Sequence, residues 1–580
     1  MTSGHVLRLR SVLAATLLSG MLAECGGSGG DDATLTPGTG TPPPTTPPPT
    51  TPPPTVSNLI EDAAMAQRFL STATFGGTQA EIDALVGRDA AEWLAEQFNE
   101  SSESYGDRIW ANVTVEPDVF FSARLPSFYS NDHPSSLFWR EAIGGNDQLR
   151  QRMLFALSQI IVVSENNFGR DRSHRFAYYM DNLYLNAFGN YRDILEDITY
   201  TPIMGDWLTY VNNRKADPAT GRLPDENYAR EILQLFSIGL LELNTDGTPR
   251  LQNGQTIDTY DNDDIVNLAR VFTGLVYDRS AGGQGWLRPM IFNDRQHSEA
   301  EKRFLTTVIP ENTSGPDSIR LAIDGIFAHP NVAPFISRQL IQRFTMSSPP
   351  PAYVERVATA FESGSYTAVN GREFGSGQRG DMRATIAAML LDELMFAETV
   401  AGKIKEPVLR FAHAMRALEI QDVVPGNEND LRDTSNTLGQ NPFRPASVFN
   451  FYRPGYVAPN TTSGAQDLTA PELQIVNSTS VIGFLNFMVD YVFDRTPNGG
   501  TGSFAVDYSR WSGIADDPTA LVTALDNLFT GGRLPDEAFN DYVDIIDQMP
   551  LRAGQANDPI KRIQTAIVLV TTSTTFATVL

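Results

Sequence analysis

The chain has 580 residues, and its 44 Lys and Arg against 69 Asp and Glu give a formal net charge of -25. So acidic a surface repels phosphate backbones, which excludes nucleic acid as an expected partner. The single cysteine excludes an internal disulfide framework and cysteine-rich zinc or iron–sulfur sites.

In chain order, "MTSGHVLRLR" supplies a basic start, "SVLAATLLSGMLA" an apolar run over residues 11–23, and "ECGGSGG" follows. This is the pattern of a bacterial export signal, too short to span a membrane. It resembles a lipoprotein signal over residues 1–25, with Cys25 as the lipidated N-terminus of the mature chain. Glu24 departs from the Gly, Ala or Ser usual before the cysteine, so cleavage by the ordinary signal peptidase is the alternative. Residues 26–57 read as a disordered Gly/Pro/Thr-rich tether that contains "TPPPT" three times. Such a sequence favours extended polyproline II, and fifteen residues of it hold a domain about 45 Å from its anchor. Anchor and tether together place the protein at the cell envelope, facing the periplasm or the cell surface.

Residues 58–580 are expected to form one helical domain. "NDQLRQRMLFALSQIIVVS" sets Leu149, Met153, Ala156, Leu157 and Ile160 at helical spacing behind Asp147 as N-cap. "EDAAMAQRFLSTATFG", "GNYRDILEDIT", "DDIVNLARVFTGL", "HPNVAPFISRQLIQRF", "DMRATIAAMLLDELMF" and "KEPVLRFAHAMRALEI" repeat the pattern. Alternating strand patterns are scarce; "LELNTDGTPRLQNGQTI" predicts a hairpin turning at Asp246-Gly247. The fold class is mainly α: a large multi-helix globular domain with long loops and at most one or two short β-hairpins. Residues 362–380 and 457–470 read as long flexible loops, and "AIVLVTTSTTFATVL" as a docked terminal segment.

Seven segments, in order, resemble the bacterial family known as domain of unknown function 1800. They are "RFLSTATFGGT", "LRQRMLFALSQIIVVSE", "NNRKADPATGRLPDENYAREILQLFSIGL", "ARVFTGL", "HPNVAPFISRQLIQRF", "RGDMRATIAAMLLD" and "LGQNPFRPASVFNFYRPGY". The resemblance implies a helical, exported protein without an established activity. It also implies a partner, the exported sulfatase-like family called domain of unknown function 1501. The family tends to carry His-Asp followed by Lys after the hairpin region. Here His297 and Lys302 are present, and Ser298 stands where Asp is usual.

"PDENYAREILQLF" offers one polar cluster. Pro224 suits the first helical position, and Asp225 and Glu226 suit the positive end of the helix dipole. Glu226 and Arg230, like Asn227 and Glu231, are i,i+4 neighbours. Capping does not need Asn227, Tyr228 and Arg230 together, so this face is either a structural polar network or a site. As a hydrolase site it would use Glu226, Asn227, Arg230, Glu231, His297 and Lys302, with Glu231 or His297 as base and Arg230 stabilising negative charge. His329 suits a helix cap and His413 a packed helix position. The histidines at 133, 174, 297, 329 and 413 lack zinc-protease spacing, no cofactor is identified, and a mixed His/carboxylate metal site stays an open alternative.

"GGSGG" at residues 26–30 matches a nucleophile elbow but lies in the tether. "GSGQRG" lacks the preceding strand of a dinucleotide fold; what remains is a glycine loop before a helix, with Gly377, Arg379 and Gly380 as anion-binding candidates and Asp381 as N-cap. Residues 244–248 and 258–264 are rich in oxygen ligands without the closing Glu of an EF-hand, and read as a hairpin turn and a helix cap. The expected role is a binding or assembly component of the envelope, with the hydrolase as the alternative.

Cys25→Ala should abolish incorporation of radiolabelled palmitate in the native host and move the protein from the membrane to the soluble fraction. An unlabelled wild-type chain would favour the ordinary signal peptidase.

Overall fold

The computed structural model describes residues 57–107, 134–167, 173–280, 288–397, 402–420, 438–493 and 506–579. The signal, Cys25, the tether up to Val56 and His133 lie outside them.

The fold is mainly α, about half helical. The helices used below are α1 (Ala63–Ala73), α2 (Gln148–Ser158), α3 (Asn227–Gln234), α4 (Gly315–Phe327), α5 (Val332–Phe344), α6 (Pro351–Ser363), α7 (Met382–Leu390), α8 (Pro407–Ala417), α9 (Pro518–Thr530) and α10 (Asn557–Thr571). One apolar cluster runs through the described residues from Ile60 to Phe576. Within it α5 packs on α6 and α6 on α7, while α9 lies against both α1 and α10.

The innermost helices are buried nearly all round. Every residue of α8 is buried, as are ten of the eleven in α2. A helix without a solvent face is usually apolar on all sides. These carry Gln151 and Arg152 in α2 and Arg410, His413 and Arg416 in α8, so the core must contain paired polar groups. Arg416 is one example: it donates to the carbonyls of Gly76 and Ile143, at 2.7 and 2.8 Å, and forms a bidentate pair with Glu81.

Asp147 does precede α2, yet its carboxylate makes no capping bond. It accepts instead from Tyr184 Oη at 2.6 Å and Ser102 Oγ at 2.8 Å. Asp381 caps α7 as expected, accepting from the amides of Arg383 and Ala384.

The described residues hold five two-stranded antiparallel ribbons, more than the one or two hairpins expected. The hairpin in the 241–257 region turns at Asn253-Gly254, between Leu251–Gln252 and Gln255–Thr256. Both turn residues have positive φ, 54° and 80°, the geometry for which Asn-Gly is favoured. Asp246-Gly247 makes a separate tight turn, closed by Asn244 N to Thr248 O at 2.8 Å. Residues 362–380 are a further correction: they fold as a hairpin of Ser365–Thr367 with Glu373–Gly375. Within 457–470 lies a one-turn helix, Thr462–Ala465, capped by Thr461. The chain end docks as expected, with Thr578–Val579 pairing with Lys403–Ile404.

Phe138 is fully buried and touches rings from three other parts of the chain, Phe75 at 5.6 Å, Phe155 at 5.5 Å and Phe443 at 5.1 Å. Phe138→Ala should lower the unfolding free energy by about 3–5 kcal/mol. A loss below about 1 kcal/mol in urea unfolding would show that this ring cluster is not part of the cooperative core.

Candidate functional site

The polar helix start resolves into separate jobs. α3 begins at Asn227, so Pro224 precedes the helix rather than opening its first turn. Asp225 accepts from Asn227 N at 3.0 Å, and Asn213 clamps the backbone of Asp225 at 2.9 and 3.1 Å. Tyr228 points into the core, stacked on Tyr210 at 4.2 Å and bonded to Thr199 at 2.7 Å. Asn227 bonds Thr209 at 2.7 Å. Arg230 and Glu226 form the i,i+4 pair at 3.5 Å, with side chains 43% and 35% exposed. A pair so solvated contributes about 0.3–0.5 kcal/mol. Glu231 is half-buried, and burial raises its carboxyl above the usual range while Arg230 pulls it back.

His297 and Lys302 meet at a point sealed from solvent. His297 Nδ1 lies 2.7 Å from the Thr273 carbonyl. A carbonyl only accepts, so Nδ1 carries the proton and Nε2 faces Ser318 Oγ at 3.3 Å as an acceptor. Lys302 Nζ donates to the same hydroxyl at 3.4 Å. Lys302 is fully buried and His297 4% exposed. Burial pushes the lysine down to about 8 and lowers the histidine. Ser298 uses its backbone N–H on Thr273 Oγ1, at 2.9 Å. The hydrogen bonds of His297 and Lys302 go to Thr273 and Ser318, those of Asn227 to Asp225 and Thr209, and Arg230 pairs with Glu226. Asn213, which clamps Asp225, also accepts from Gly274 N beside His297. The groups therefore differ in exposure, the His297 and Lys302 side chains being enclosed and those of Glu226 and Arg230 partly open.

The glycine loop also divides. Gly377 and Gly380 take φ of +76° and +83°, so the turn itself requires glycine. Arg379 is engaged by the protein's own groups. It makes two bonds to Glu362, at 2.6 and 2.9 Å, and donates to the carbonyls of Phe327 and His329. The loop's other side lines a cavity of about 550 Å³ with Asn190, Asp381 and Arg383 on one hand and Phe98, Phe188 and Phe374 on the other. His329 helps start α5, accepting from Asn331 N at 3.2 Å. His413 is packed beside Lys405, 2.7 Å away. Among the described residues no three His, Cys, Asp or Glu side chains come together to hold a metal ion.

The structure adds a cleft of about 430 Å³ between α5, the chain after α3, and residues 448–455. α5 contributes Phe335, Arg338, Gln339, Gln342 and Arg343, one stripe at helical spacing. The opposite wall is Leu235 to Leu243, and its Gly239 is obligatory. That residue has φ +73°, and a Cβ there would lie 2.6 Å from the Phe335 ring. Asn331 holds this wall in place by donating to the carbonyls of Ile238 and Leu241, at 2.9 and 2.7 Å, and accepting from Leu243 N at 2.9 Å.

Behind the cleft is a buried polar cluster. Arg343 is 1% exposed, donates to Gln159 O at 3.4 Å and lies 5.0 Å from the Tyr452 ring centre. Tyr452 donates to Glu406 at 2.9 Å, as do Gln159 at 2.7 Å and Gln440 at 2.6 Å. Arg152 donates to Arg343 O and sits 4.4 Å from the Phe344 ring; burial brings its guanidinium down to about 10. Lys403 pairs with Glu472, both fully buried, and donates to Gln342 O at 2.9 Å.

The family described as Protein of unknown function (DUF1800) matches residues 68–578. The chain belongs to that family. No curated protein and no solved structure matches it. The cleft is built from four of the seven segments that resemble DUF1800 sequences: those containing Gln159, Gln234 to Leu240, Phe335 to Arg343, and Val448 to Pro454.

Sequence reasoning missed these residues because they were counted as helix pattern. A signal existed. Gln339, Gln342 and Arg343 recur at i, i+3 and i+4 in "SRQLIQRF", so a helix buried through its apolar positions must also bring these into the interior.

Lys302 holds its proton less firmly when folded than when unfolded, so unfolding takes up a proton between about pH 8 and pH 10.5 and stability rises with pH across that window. Lys302→Met should remove this rise in a urea-unfolding series. An unchanged slope would mean that Lys302 keeps its ordinary affinity for protons.

Proposed function

We propose that this DUF1800 protein is an exported, lipid-anchored binding component of the cell envelope, and that the apolar cleft at Arg343 is where it binds. One observation carries the reading. The cleft combines apolar walls with buried side-chain atoms that have no hydrogen-bond partner among the described residues, including Arg343 Nε and Nη1, Gln339 Nε2 and Asn450 Nδ2. These atoms come from α5 and from residues 448–455, and a few polar groups set among apolar walls are what orient a ligand in a cleft.

The hydrolase alternative receives less support. It asks for a base and a charge-stabilising arginine within reach of one substrate. His297 and Lys302 are enclosed while Arg230 is on the surface, which leaves half-buried Glu231 beside Arg230 as the base, without the histidine and lysine. The sulfatase-like family is the proposed protein partner, and the tether is suited to letting the domain reach it.

The test is re-isolation of the mature protein after incubation with an extract of its own envelope, followed by native mass spectrometry. Wild type should carry a stoichiometric ligand or partner, and Leu240→Asp, at the exposed mouth of the cleft, should lose at least nine-tenths of it. Equal recovery by both chains would remove the cleft from the reading. Turnover of an envelope component that depends on His297 would favour the hydrolase.

A further inference from the structure

We infer that the cleft takes an amphiphile, an apolar tail ending in a single anionic head, with the head held on Arg343. This deepens the binding reading and rests on it.

Charge is the first argument. In a chain of net charge -25, three arginines and no Asp or Glu line this cleft among the described residues. Arg343 is almost fully buried and has no ion pair among the described residues, and its Nε and Nη1 have no hydrogen-bond partner. A guanidinium keeps its charge at neutral pH, and burying it unpaired is costly. The cluster around it holds three cations, Arg152, Arg343 and Lys403, against two carboxylates, Glu406 and Glu472. One bound anion balances that set. Arg338 and Arg453 lie further along the same walls, where Arg453 stacks over Phe449 at 5.1 Å.

The second argument is the shape of the rest. Above Arg343 the cleft is walled by Leu235, Leu241, Phe335 and Val448, and at its mouth Leu240 and Phe449 stay 54% and 41% exposed. Large apolar side chains left in water around a concavity are what a hydrocarbon tail covers. The volume, about 430 Å³, suits a small molecule.

A peptide would need main-chain partners, as strand-adding peptides do. The wall from 239 to 250 already uses its own: Glu242 N bonds Ile257 O, Arg250 N bonds Glu242 O, Thr259 N bonds Leu240 O, and Asn331 takes the Leu241 carbonyl. A tail without backbone groups asks nothing of that wall.

The test titrates the mature protein calorimetrically with dodecanoate, dodecyl phosphate, 1-dodecanol, acetate, and a hexapeptide of apolar residues with a free C-terminal carboxylate. At least one of the first two should bind ten-fold or more tighter than dodecanol, and which one does identifies the head as carboxylate or phosphate. Acetate alone should not bind measurably. Arg343→Met, checked for folding by its melting temperature, should bring that ligand to the affinity of dodecanol and leave dodecanol unchanged. The comparison of charged with neutral probes needs no variant, so it stands even if Arg343→Met does not fold. Equal affinity for the dodecyl anions and dodecanol would overturn the anionic head and leave the cleft as a binding site. Tighter binding of the hexapeptide would overturn the amphiphile. If no probe binds while the native mass spectrum shows a cleft-dependent partner, the inference fails and the binding reading survives.

Discussion

A buried guanidinium cannot discharge itself at neutral pH, and much of the centre of this protein is arranged around two of them. Arg152 and Arg343 stand on α2 and α5, helices with hardly any solvent-facing side. Among the described residues neither reaches a carboxylate. They are held by carbonyl oxygens and by aromatic faces, those of Phe344 and Tyr452. Tyr452 then connects the cations to Glu406, whose Oε2 gathers three donors. Such a cluster is sustained by the apolar core around it, because each partly solvated ion costs several kcal/mol to bury. It also fixes how α2, α5, α8 and residues 440–452 sit together, since moving any of them strands a charge.

The cleft follows from the same constraint. α5 cannot turn Arg343 out without losing the Tyr452 face, so its Phe335 to Arg343 stripe is left facing a gap. Gly239 lets the opposite wall approach Phe335, and Asn331 pins that wall from the helix start. Cleft wall and structural cluster are therefore one device. The Lys302, Ser318 and His297 group is different in kind, a short chain of hydrogen bonds closed off beneath the surface, with its lysine held near the edge of neutrality by burial.

Much of the fold was legible in the residues. Helical spacing located α2, α5, α7 and α8 because apolar residues three and four apart must share a face whatever surrounds them. The Asp381 cap and the docked chain end could be read locally for similar reasons. Asp246-Gly247 and Asn253-Gly254 are both good turn pairs and both close antiparallel pairing, a single Leu243–Pro249 bridge at the first and the ladder of 251–252 with 255–256 at the second, and the local pattern does not say which turn carries the ladder. Residues 362–380 looked irregular because polar, glycine-rich strands carry no alternation, yet they pair. Pro224 suits a first helical position by type, but Asn213 holds the chain just short of the helix, which starts at Asn227.

The site was less legible, and for a physical reason. By itself the sequence determined the helical class, the family, the acidic surface, the tether-like N-terminal composition and the local caps, all set by neighbours within a few residues. Only the tertiary structure decided that His297 and Lys302 are enclosed, that Arg379 is paired with Glu362, and that Arg343, Gln159 and Tyr452 meet beside one cleft. Those three lie as far as 293 positions apart in the chain. What a charged side chain does depends on whether water or protein surrounds it, and that is settled by packing between distant segments rather than by any of them alone.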